Sequence, residues 1–164
     1  MKDWTGIEIE QAHKDLEQAS ALVLGQMLFE FSRLDIALGL CLAWSGQGQQ
    51  LEHLSSEVEN FTFHKKLDRL NKLVDAKFST KQGVQAQYAQ WLKDADTTRQ
   101  IRNELVHGRW GIEPIKGQMI NVIGLPTSPN QRSKDYTIEQ LKRQLEEIVT
   151  LTQRLNKLRE KWPV

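Results

Sequence analysis

The stretch RQIRNELVHGRW, residues 99–110, contains side chains that suit chemistry at a phosphate group. Arg102 carries a permanent charge, Asn103 offers an amide, and His107 belongs to the residue type that exchanges protons most readily near neutral pH. Asn103 and His107 are four residues apart, so on a helix they share one face within hydrogen-bonding reach. Arg102 and His107 are five apart, about 140° around a regular helix, and they converge only where the last turn unwinds.

The same three residues also fit a structural role at the end of a helix. A histidine there can meet the free carbonyl groups, and an arginine can pair with a buried acid. Gly108 is the residue type most often found just past a helix end, and it permits His107 to turn toward Arg102. The residues alone therefore leave two hypotheses open, a site for phosphate chemistry and a C-terminal cap.

The helix that carries this stretch is predicted from Gly83 to His107. Its packing stripe advances in alternating steps of four and three residues, which is typical of one buried helix face. The stripe consists of Val84, Tyr88, Trp91, Ala95, Thr98, Arg102 and Leu105. Arg102 thus stands where the helix otherwise places core residues. Because an unpaired buried charge is costly, we expect Arg102 to meet a partner or to line a cleft.

Three further helices are predicted from apolar spacing and capping signals. The first strong helix spans about residues 20–44, and the polar segment before it is a weaker helix that can continue into it. It stops at the loop SGQGQQ. Another helix runs from about Thr62, its candidate N-cap, to Phe78. The last begins with Thr137 and Gln140, spaced as a capping box, and ends near Lys161.

Between the last two helices the pattern changes to short strands. RWGIEPI and MINVIG, with Lys116 and Gly117 near the turn, predict a hairpin, and LPTSPNQRSKD is a loop by composition. The sequence thus predicts an all-α fold. It is an up-and-down bundle of four to five helices, with a small β-hairpin insert between the last two, in a single domain spanning 1–164.

Composition limits the functional classes. The chain has 164 residues and a formal net charge of +1, so it lacks the basic excess with which proteins hold long nucleic acids, and we expect any such contact to be local. Cys41 is the only cysteine and fits a small buried apolar residue, while the four histidines are scattered, so we expect neither a metal site nor a cofactor. Charges interrupt the longest apolar stretch and nothing resembles a signal peptide, which favours a cytoplasmic protein without a membrane span.

Several other charged residues are candidates for supporting roles. On the first helix one charged residue, Asp35, stands in an otherwise apolar stripe of Leu24, Leu28, Phe31, Asp35, Leu38 and Leu42. We hypothesise that Asp35 approaches Arg102. The alternative is that Asp35 points to solvent beside Arg33. Lys66 is either a phosphate contact near the cleft or part of a solvated helix face. Arg99 and Arg109 flank the motif as possible substrate contacts.

The string R-N-E-L-V-H, at the end of a helix in an all-helical chain of this size, resembles the R-x(4-6)-H motif of the HEPN superfamily (higher eukaryotes and prokaryotes nucleotide-binding domains). Asn103 directly after the arginine and the following VHG are typical of that family. The position of the motif, after earlier bundle helices and before a long last one, extends the resemblance over most of the chain.

The resemblance implies a metal-independent endoribonuclease, often a toxin or an antiphage effector, that dimerises so that two motifs face one cleft. His107 would then act as general base or acid on the ribose 2′-hydroxyl, leaving a 2′,3′-cyclic phosphate. Arg102 would stabilise the charge on the phosphate, and Asn103 would position the histidine or the phosphate. The implied partners are a second copy, an RNA substrate, and a cognate antitoxin or regulator.

Two features limit what the resemblance implies. Some members of the family keep the fold and only dimerise or bind nucleotides, so a non-catalytic module is the alternative function. In toxins paired with a nucleotidyltransferase antitoxin, a tyrosine commonly stands two residues after the histidine and receives the modification. Arg109 occupies that position here, so this route of regulation is not expected. The hairpin insert, residues 109–123, either shapes the cleft or a partner surface or is a solvent-facing decoration.

Overall fold

The computed structural model describes residues 3–164, and over this range the chain is mostly helical. Five α-helices and a three-stranded antiparallel sheet are present in these residues. The helices are α1 (Gly6–Ala43), α2 (Leu51–Val58), α3 (Phe63–Lys77), α4 (Gln82–His107) and α5 (Ile138–Lys161), with a short 3₁₀ helix at Ser45–Gly48. The strands β1 (Arg109–Glu113), β2 (Gln118–Ile123) and β3 (Arg132–Tyr136) lie between α4 and α5. The predicted fold class, a helical bundle with a small β insert, is confirmed.

The chain forms two compact units. Unit 1 contains the described residues up to Leu28 together with Ile101–Glu146, and unit 2 contains Phe29–Gln100 and Glu147–Val164. The predicted single domain 1–164 includes Met1 and Lys2, which lie outside the described residues, and it stays a prediction. None of the helices within residues 3–164 combines the length and the apolar composition that crossing a bilayer requires.

In unit 2 the contacts fix the helix directions. The rings of Phe31 on α1 and Phe63 on α3 lie 4.8 Å apart, and further along both helices the Lys66 ammonium meets Asp35, so α1 and α3 run parallel. Parallel neighbours require a return segment between them. The short helix α2, with Leu54 and Val58 buried, provides it. The sequence did not predict α2, because the polar loop before it carries the stronger local signal.

The helices α4 and α5 each run antiparallel to the helix that precedes them in the chain. The rings of Tyr88 on α4 and of Phe78, which directly follows α3, stack at 6.2 Å, and His64 at the start of α3 lies near Asp96 further along α4, so α3 and α4 run antiparallel. The Tyr88 hydroxyl donates to the Trp162 carbonyl, and the Trp91 indole N–H donates to the Leu151 carbonyl at 2.9 Å, so α4 and α5 run antiparallel. The core of unit 2 is fully buried at Leu34, Leu38, Leu70, Tyr88, Trp91 and Leu155.

The predicted helix starts are confirmed by their caps. The Thr62 hydroxyl accepts from the Lys65 N–H at the start of α3. At the start of α5 the Thr137 hydroxyl accepts from the Gln140 N–H, and the Gln140 side chain accepts from the Thr137 N–H. These reciprocal bonds satisfy donors that the first helical turn leaves open. The weak helix predicted before residue 20 is also present, as the continuous N-terminal part of α1.

The buried face predicted for α1 is partly wrong. Leu28 is exposed and Leu24 is half-buried, whereas the buried positions include Val23, Met27, Phe31, Leu34, Leu38, Cys41 and Leu42. Large apolar residues occur on nearly every side of α1, so more than one stripe fits the sequence equally well. Periodicity therefore identified the helix and not the face that it buries.

The β insert in unit 1 is a three-stranded sheet rather than a hairpin. β2 is central: Trp110 of β1 and Lys134 of β3 both pair with Asn121. Residues 132–135, predicted as loop, form most of β3, because pairing with β2 overrides a composition rich in polar residues. Met119, Asn121 and Tyr136 are buried on one side of the sheet. Along β2 the buried Met119 and Asn121 alternate with half-buried residues, which is the pattern of a sheet with one covered face.

We predict that Thr137→Ala lowers the free energy of unfolding by about 1 kcal/mol, because it removes the side-chain acceptor from the first turn of α5. Thr137→Ser keeps that acceptor and should cost less. The matched control is Thr97→Ala on the exposed side of α4, where the hydroxyl only donates back to the Lys93 carbonyl. Urea denaturation measures all three variants, and equal losses for Thr137→Ala and Thr97→Ala would contradict the capping role.

Candidate functional site

The last turns of α4 place Arg102 as the sequence predicts. The stripe positions before and after it are buried, and Arg102 itself is half-buried with its Nε atom shielded from solvent. Its Nη1 atom donates to the Asn103 Oδ1 atom at 3.2 Å. The amide that follows the arginine therefore helps to fix the guanidinium group. A fixed guanidinium loses less freedom when it binds an anion.

His107 is the last residue of α4 and is exposed. The amide oxygen of Asn103 accepts a hydrogen bond from Arg102. The predicted pairing of Asn103 with His107 stays a prediction. An exposed imidazole is accessible to a substrate in solution. The three motif residues therefore divide into a half-buried pair and an accessible imidazole.

The end of α4 keeps regular helical geometry. The Gly108 N–H donates to the Glu104 carbonyl at 2.9 Å, so the helical bonding pattern continues through His107. The Trp110 indole N–H then donates to the Leu105 carbonyl at 2.9 Å and caps a carbonyl that the helix leaves open. The unwinding that would turn His107 toward Arg102 is absent, so within one copy the two side chains leave the helix about 140° apart.

Gly108 is required here by packing rather than by its backbone angles. Its backbone does not adopt a positive φ. A Cβ atom at this position, however, would lie 2.6 Å from Cγ of Asn121. Real Cβ atoms do not approach other atoms so closely, and the neighbour is a fully buried side chain in the central strand. The carboxamide of Asn121 thus occupies the space that any larger residue after His107 would need.

Asn121 is the residue that the sequence analysis missed at this site. Neither atom of its carboxamide, nor the Tyr136 hydroxyl, has a hydrogen-bond partner among the described residues, although all three atoms are buried. Tyr136 lies against Trp110, with ring centroids 5.9 Å apart. The sequence did contain a signal for this position. In MINVI the asparagine is the only polar residue, and strand alternation places it on the same sheet face as Met119. Buried polar groups are expensive, so such a position merits attention.

One salt bridge and one hydrogen bond connect the motif and the residues next to it with β3 and with the loop after β2. Glu104 in the middle of the motif accepts from Arg132 of β3 at 2.6 Å. Arg109, a predicted substrate contact, is exposed and donates to the Gly124 carbonyl at 3.2 Å. Arg109 therefore already helps to hold the loop after β2, although its exposed guanidinium keeps further donors for an anion.

Asp35 and Lys66 are brought together in unit 2. The Lys66 Nζ atom lies 2.7 Å from Asp35 Oδ1, and its side chain is only 8% exposed. The ammonium also packs beside Gly39, 3.6 Å from where a Cβ would be, which is an ordinary van der Waals distance. The solvated helix face suggested for Lys66 is therefore wrong. The predicted approach of Asp35 to Arg102 joins residues of different units and stays a prediction.

Arg99 belongs to a separate network in unit 2. Its Nε donates to Asp96 at 2.8 Å, and the Asp96 carboxylate also lies 3.7 Å from His64 Nδ1. Partial burial raises the pKa of Asp96, but the hydrogen bonds from Arg99 and Gln100 and the charges of Arg99 and His64 outweigh it, so the pKa lies below its usual range. Stability from this network is present above the ordinary carboxyl pKa and is lost as the pH falls through the lowered value.

The remaining candidates for chemistry are the single cysteine and a metal site. Cys41 is buried, and burial raises the pKa of its thiol to about 11, which fits the predicted packing role rather than a nucleophile. Across residues 3–164, no three His, Cys, Asp or Glu side chains are grouped so that they could hold a metal ion.

Comparison of the chain with protein-family models, with curated proteins and with solved structures finds no match. The resemblance of R-N-E-L-V-H to the HEPN motif stays a prediction, and its support comes from the residues and geometry described above.

We predict that Gly108→Ala lowers the free energy of unfolding by about 1–3 kcal/mol, because the new methyl group overlaps the Asn121 carboxamide. Adding Asn121→Ala should recover much of this loss, since it removes the obstructing group together with two buried polar atoms that lack partners. Gly83→Ala is the matched control: it lies in the same helix with nothing near its Cβ position, and it should stabilise the protein. Additive effects of the two substitutions in urea denaturation would contradict the proposed contact.

We also predict that Asp35→Asn destabilises the protein by about 2 kcal/mol, since it leaves the buried Lys66 ammonium without its carboxylate. The figure lies below that for fully buried pairs because Asp35 is 37% exposed and water screens part of the attraction. Adding Lys66→Met should restore stability. Glu10→Gln, which breaks an exposed pair with Lys14, is the control and should change little. If Asp35→Asn behaves like Glu10→Gln in urea denaturation, the pair contributes nothing.

Proposed function

We propose that this protein is a metal-independent endoribonuclease of HEPN type that works as a homodimer, with the motifs of both copies facing one cleft. The observation that carries the proposal is the arrangement at the end of α4: an exposed imidazole, His107, follows a half-buried guanidinium, Arg102, which is held by Asn103. A mobile proton and a fixed positive charge are the two requirements for RNA cleavage without a metal.

The proposed reaction uses the ribose as the nucleophile. His107 removes the proton from a 2′-hydroxyl, and the 2′ oxygen attacks the adjacent phosphorus atom. The bond from phosphorus to the 5′ oxygen breaks, and that oxygen takes up a proton as it leaves. The products are a 2′,3′-cyclic phosphate and a 5′-hydroxyl. Arg102 stabilises the negative charge that builds up on the phosphate oxygens, and Asn103 keeps the guanidinium in place.

The regular end of α4 favours a site built from two copies. Because Arg102 and His107 leave the helix in different directions, one motif does not aim both groups at one phosphate. Two motifs facing each other supply two guanidinium groups and two imidazoles from different sides, so that one imidazole acts as base and the other as acid. The proposal includes an RNA substrate and a regulating antitoxin. The protein itself would be a toxin or an antiphage or stress effector.

A non-catalytic dimerisation or nucleotide-binding module is the second candidate, and particular contacts favour it. Glu104 pairs with Arg132, and the Leu105 carbonyl is capped by Trp110, so the motif segment already holds the helix to the sheet. In such a module Arg102 and Asn103 would serve the same structural purpose. The two candidates differ in the role of His107. Because His107 is exposed, packing alone does not account for it, whereas a nuclease needs it for proton transfer.

Incubation of the purified protein with total RNA in EDTA separates them. We expect the parent chain to cut RNA and His107→Ala to reduce the rate by at least about a hundredfold, with a similar loss for Arg102→Ala. His53→Ala, which removes an exposed histidine outside the motif, should cut at the parental rate. Circular dichroism checks that each variant is folded. Intact RNA with the parent chain at every concentration, or parental cleavage by His107→Ala, would contradict the proposal.

A further inference from the structure

A cavity of about 470 Å³ in unit 2 is lined by α3, by α2 and by the segment that connects α1 with α2. A volume of this size is typical of small-molecule sites. Its lining includes two cations, two carboxamides and two leucines: Arg69, Lys77, Gln49, Gln50, Leu54 and Leu73. Within residues 3–164 no acidic side chain lines it. We call it the α3 cavity.

The charged side chains that line the α3 cavity are both positive. Arg69 is half-buried and Lys77 is exposed, and among residues 3–164 neither of them forms a hydrogen bond or an ion pair. The carboxylates of α3, Asp68 and Asp75, lie about 100° or more around the helix from Arg69, and each contacts another side chain of that helix. Because no acid neutralises the two cations, the concave wall concentrates a positive potential.

The two cations lie at separate points along one face of α3. Eight residues separate Arg69 from Lys77, which is a rise of about 12 Å and a net rotation of about 80°. Leu73 stands midway between them, and Leu54 of α2 adds a second apolar side chain to the wall. An elongated molecule with a negative group at each end can therefore meet both cations while its apolar middle packs against the two leucines.

The connecting segment is held in a fixed conformation beside the cavity. Gly46, Gln47 and Gly48 have φ values between 61° and 74°, a region that a residue such as Gln47 rarely adopts. The Gly46 N–H donates to the carbonyl of Val164, which also lines the cavity, at 3.3 Å. The Trp44 ring packs so closely against Gly48 that a Cβ atom there would lie 2.8 Å from it. These contacts preorganise the wall, so less conformational freedom is lost when a ligand binds.

The two glutamines of the connecting segment supply uncharged donors. Gln50 is the N-cap residue of α2, but its side chain makes no capping hydrogen bond. The carboxamide of Gln49 likewise has no hydrogen-bond partner among residues 3–164. An amide NH₂ group donates to carboxylate or phosphate oxygens, and a guanidinium group binds such an anion through two parallel bonds. The donors of the cavity therefore match a ligand whose negative groups carry several oxygen acceptors.

We infer that the α3 cavity binds a small organic dianion, with one negative group at Arg69, the other at Lys77 and an apolar middle against Leu54 and Leu73. Carboxylates and phosphate esters share this chemistry, so either can provide the two ends. The site lies entirely in unit 2, and the inference does not rest on RNA cleavage by the motif in unit 1.

Isothermal titration calorimetry of the full chain with sebacate tests the inference. Sebacate is a linear dicarboxylate whose extended length is close to the separation of the two cations along α3. We expect it to bind more tightly than decanoate, which has the same chain and one carboxylate, and more tightly than succinate, which is too short to reach both cations.

An alkane bisphosphate of the same length distinguishes the two kinds of anionic group. Tighter binding than that of sebacate assigns phosphate ends to the ligand, and weaker binding assigns carboxylate ends. Absence of measurable heat with both dianions at millimolar concentrations, or equal affinity for decanoate and sebacate, would overturn the inference.

Substitutions locate the binding site. Arg69→Gln and Lys77→Gln should each raise the dissociation constant of the dianion at least about tenfold, because each removes a charged hydrogen-bond donor. Lys72→Gln removes an exposed charge of α3 that does not line the cavity, and it should change this constant by less than about twofold. Ala76→Glu adds a carboxylate at an exposed position of the cavity wall and should abolish binding without removing a packed side chain. Parental affinity in Arg69→Gln, Lys77→Gln or Ala76→Glu, or an equal loss in Lys72→Gln, would overturn the inference.

Discussion

The structure around the candidate site depends on the close packing of Asn121 against Gly108. α4 ends at His107 and β1 begins at Arg109, so a single residue separates a helix from a strand. That residue has no side chain, and the carboxamide of the central strand fills the space. The Trp110 indole then caps the Leu105 carbonyl. These contacts keep the final turn helical, and they determine where the last side chain of the helix is presented.

This rigid helix end separates two tasks that a phosphate site requires. The guanidinium of Arg102 lies half-buried and held by Asn103, whereas the imidazole of His107 is exposed. Preorganised charge lowers the cost of stabilising a transition state, and an accessible base can reach a ribose hydroxyl. Since the two groups diverge on one helix, association of two copies is part of the proposed function.

Local sequence signals predicted the local features well. The cap at Thr62 and the stripe position of Arg102 follow from spacing along a single helix, and both are present. Features that depend on distant residues were missed. Strand β3 forms through pairing with β2, and Lys66 is buried because Asp35 meets it from α1. The buried face of α1 was misassigned because large apolar residues occur on nearly every side of the helix, so more than one stripe fits the sequence. Tertiary contacts, rather than propensity, decide these cases.

The chemistry of the RNA ends tests the central claim most directly. If the ribose 2′-hydroxyl is the nucleophile, mass spectrometry of the products from a defined oligoribonucleotide should find a 2′,3′-cyclic phosphate on one fragment and a 5′-hydroxyl on the other. A single 2′-deoxy substitution at the cleaved position should prevent the cut. Fragments that end in a 3′-hydroxyl and a 5′-phosphate, or cleavage that persists at the deoxy position, would contradict the roles given to His107 and Arg102.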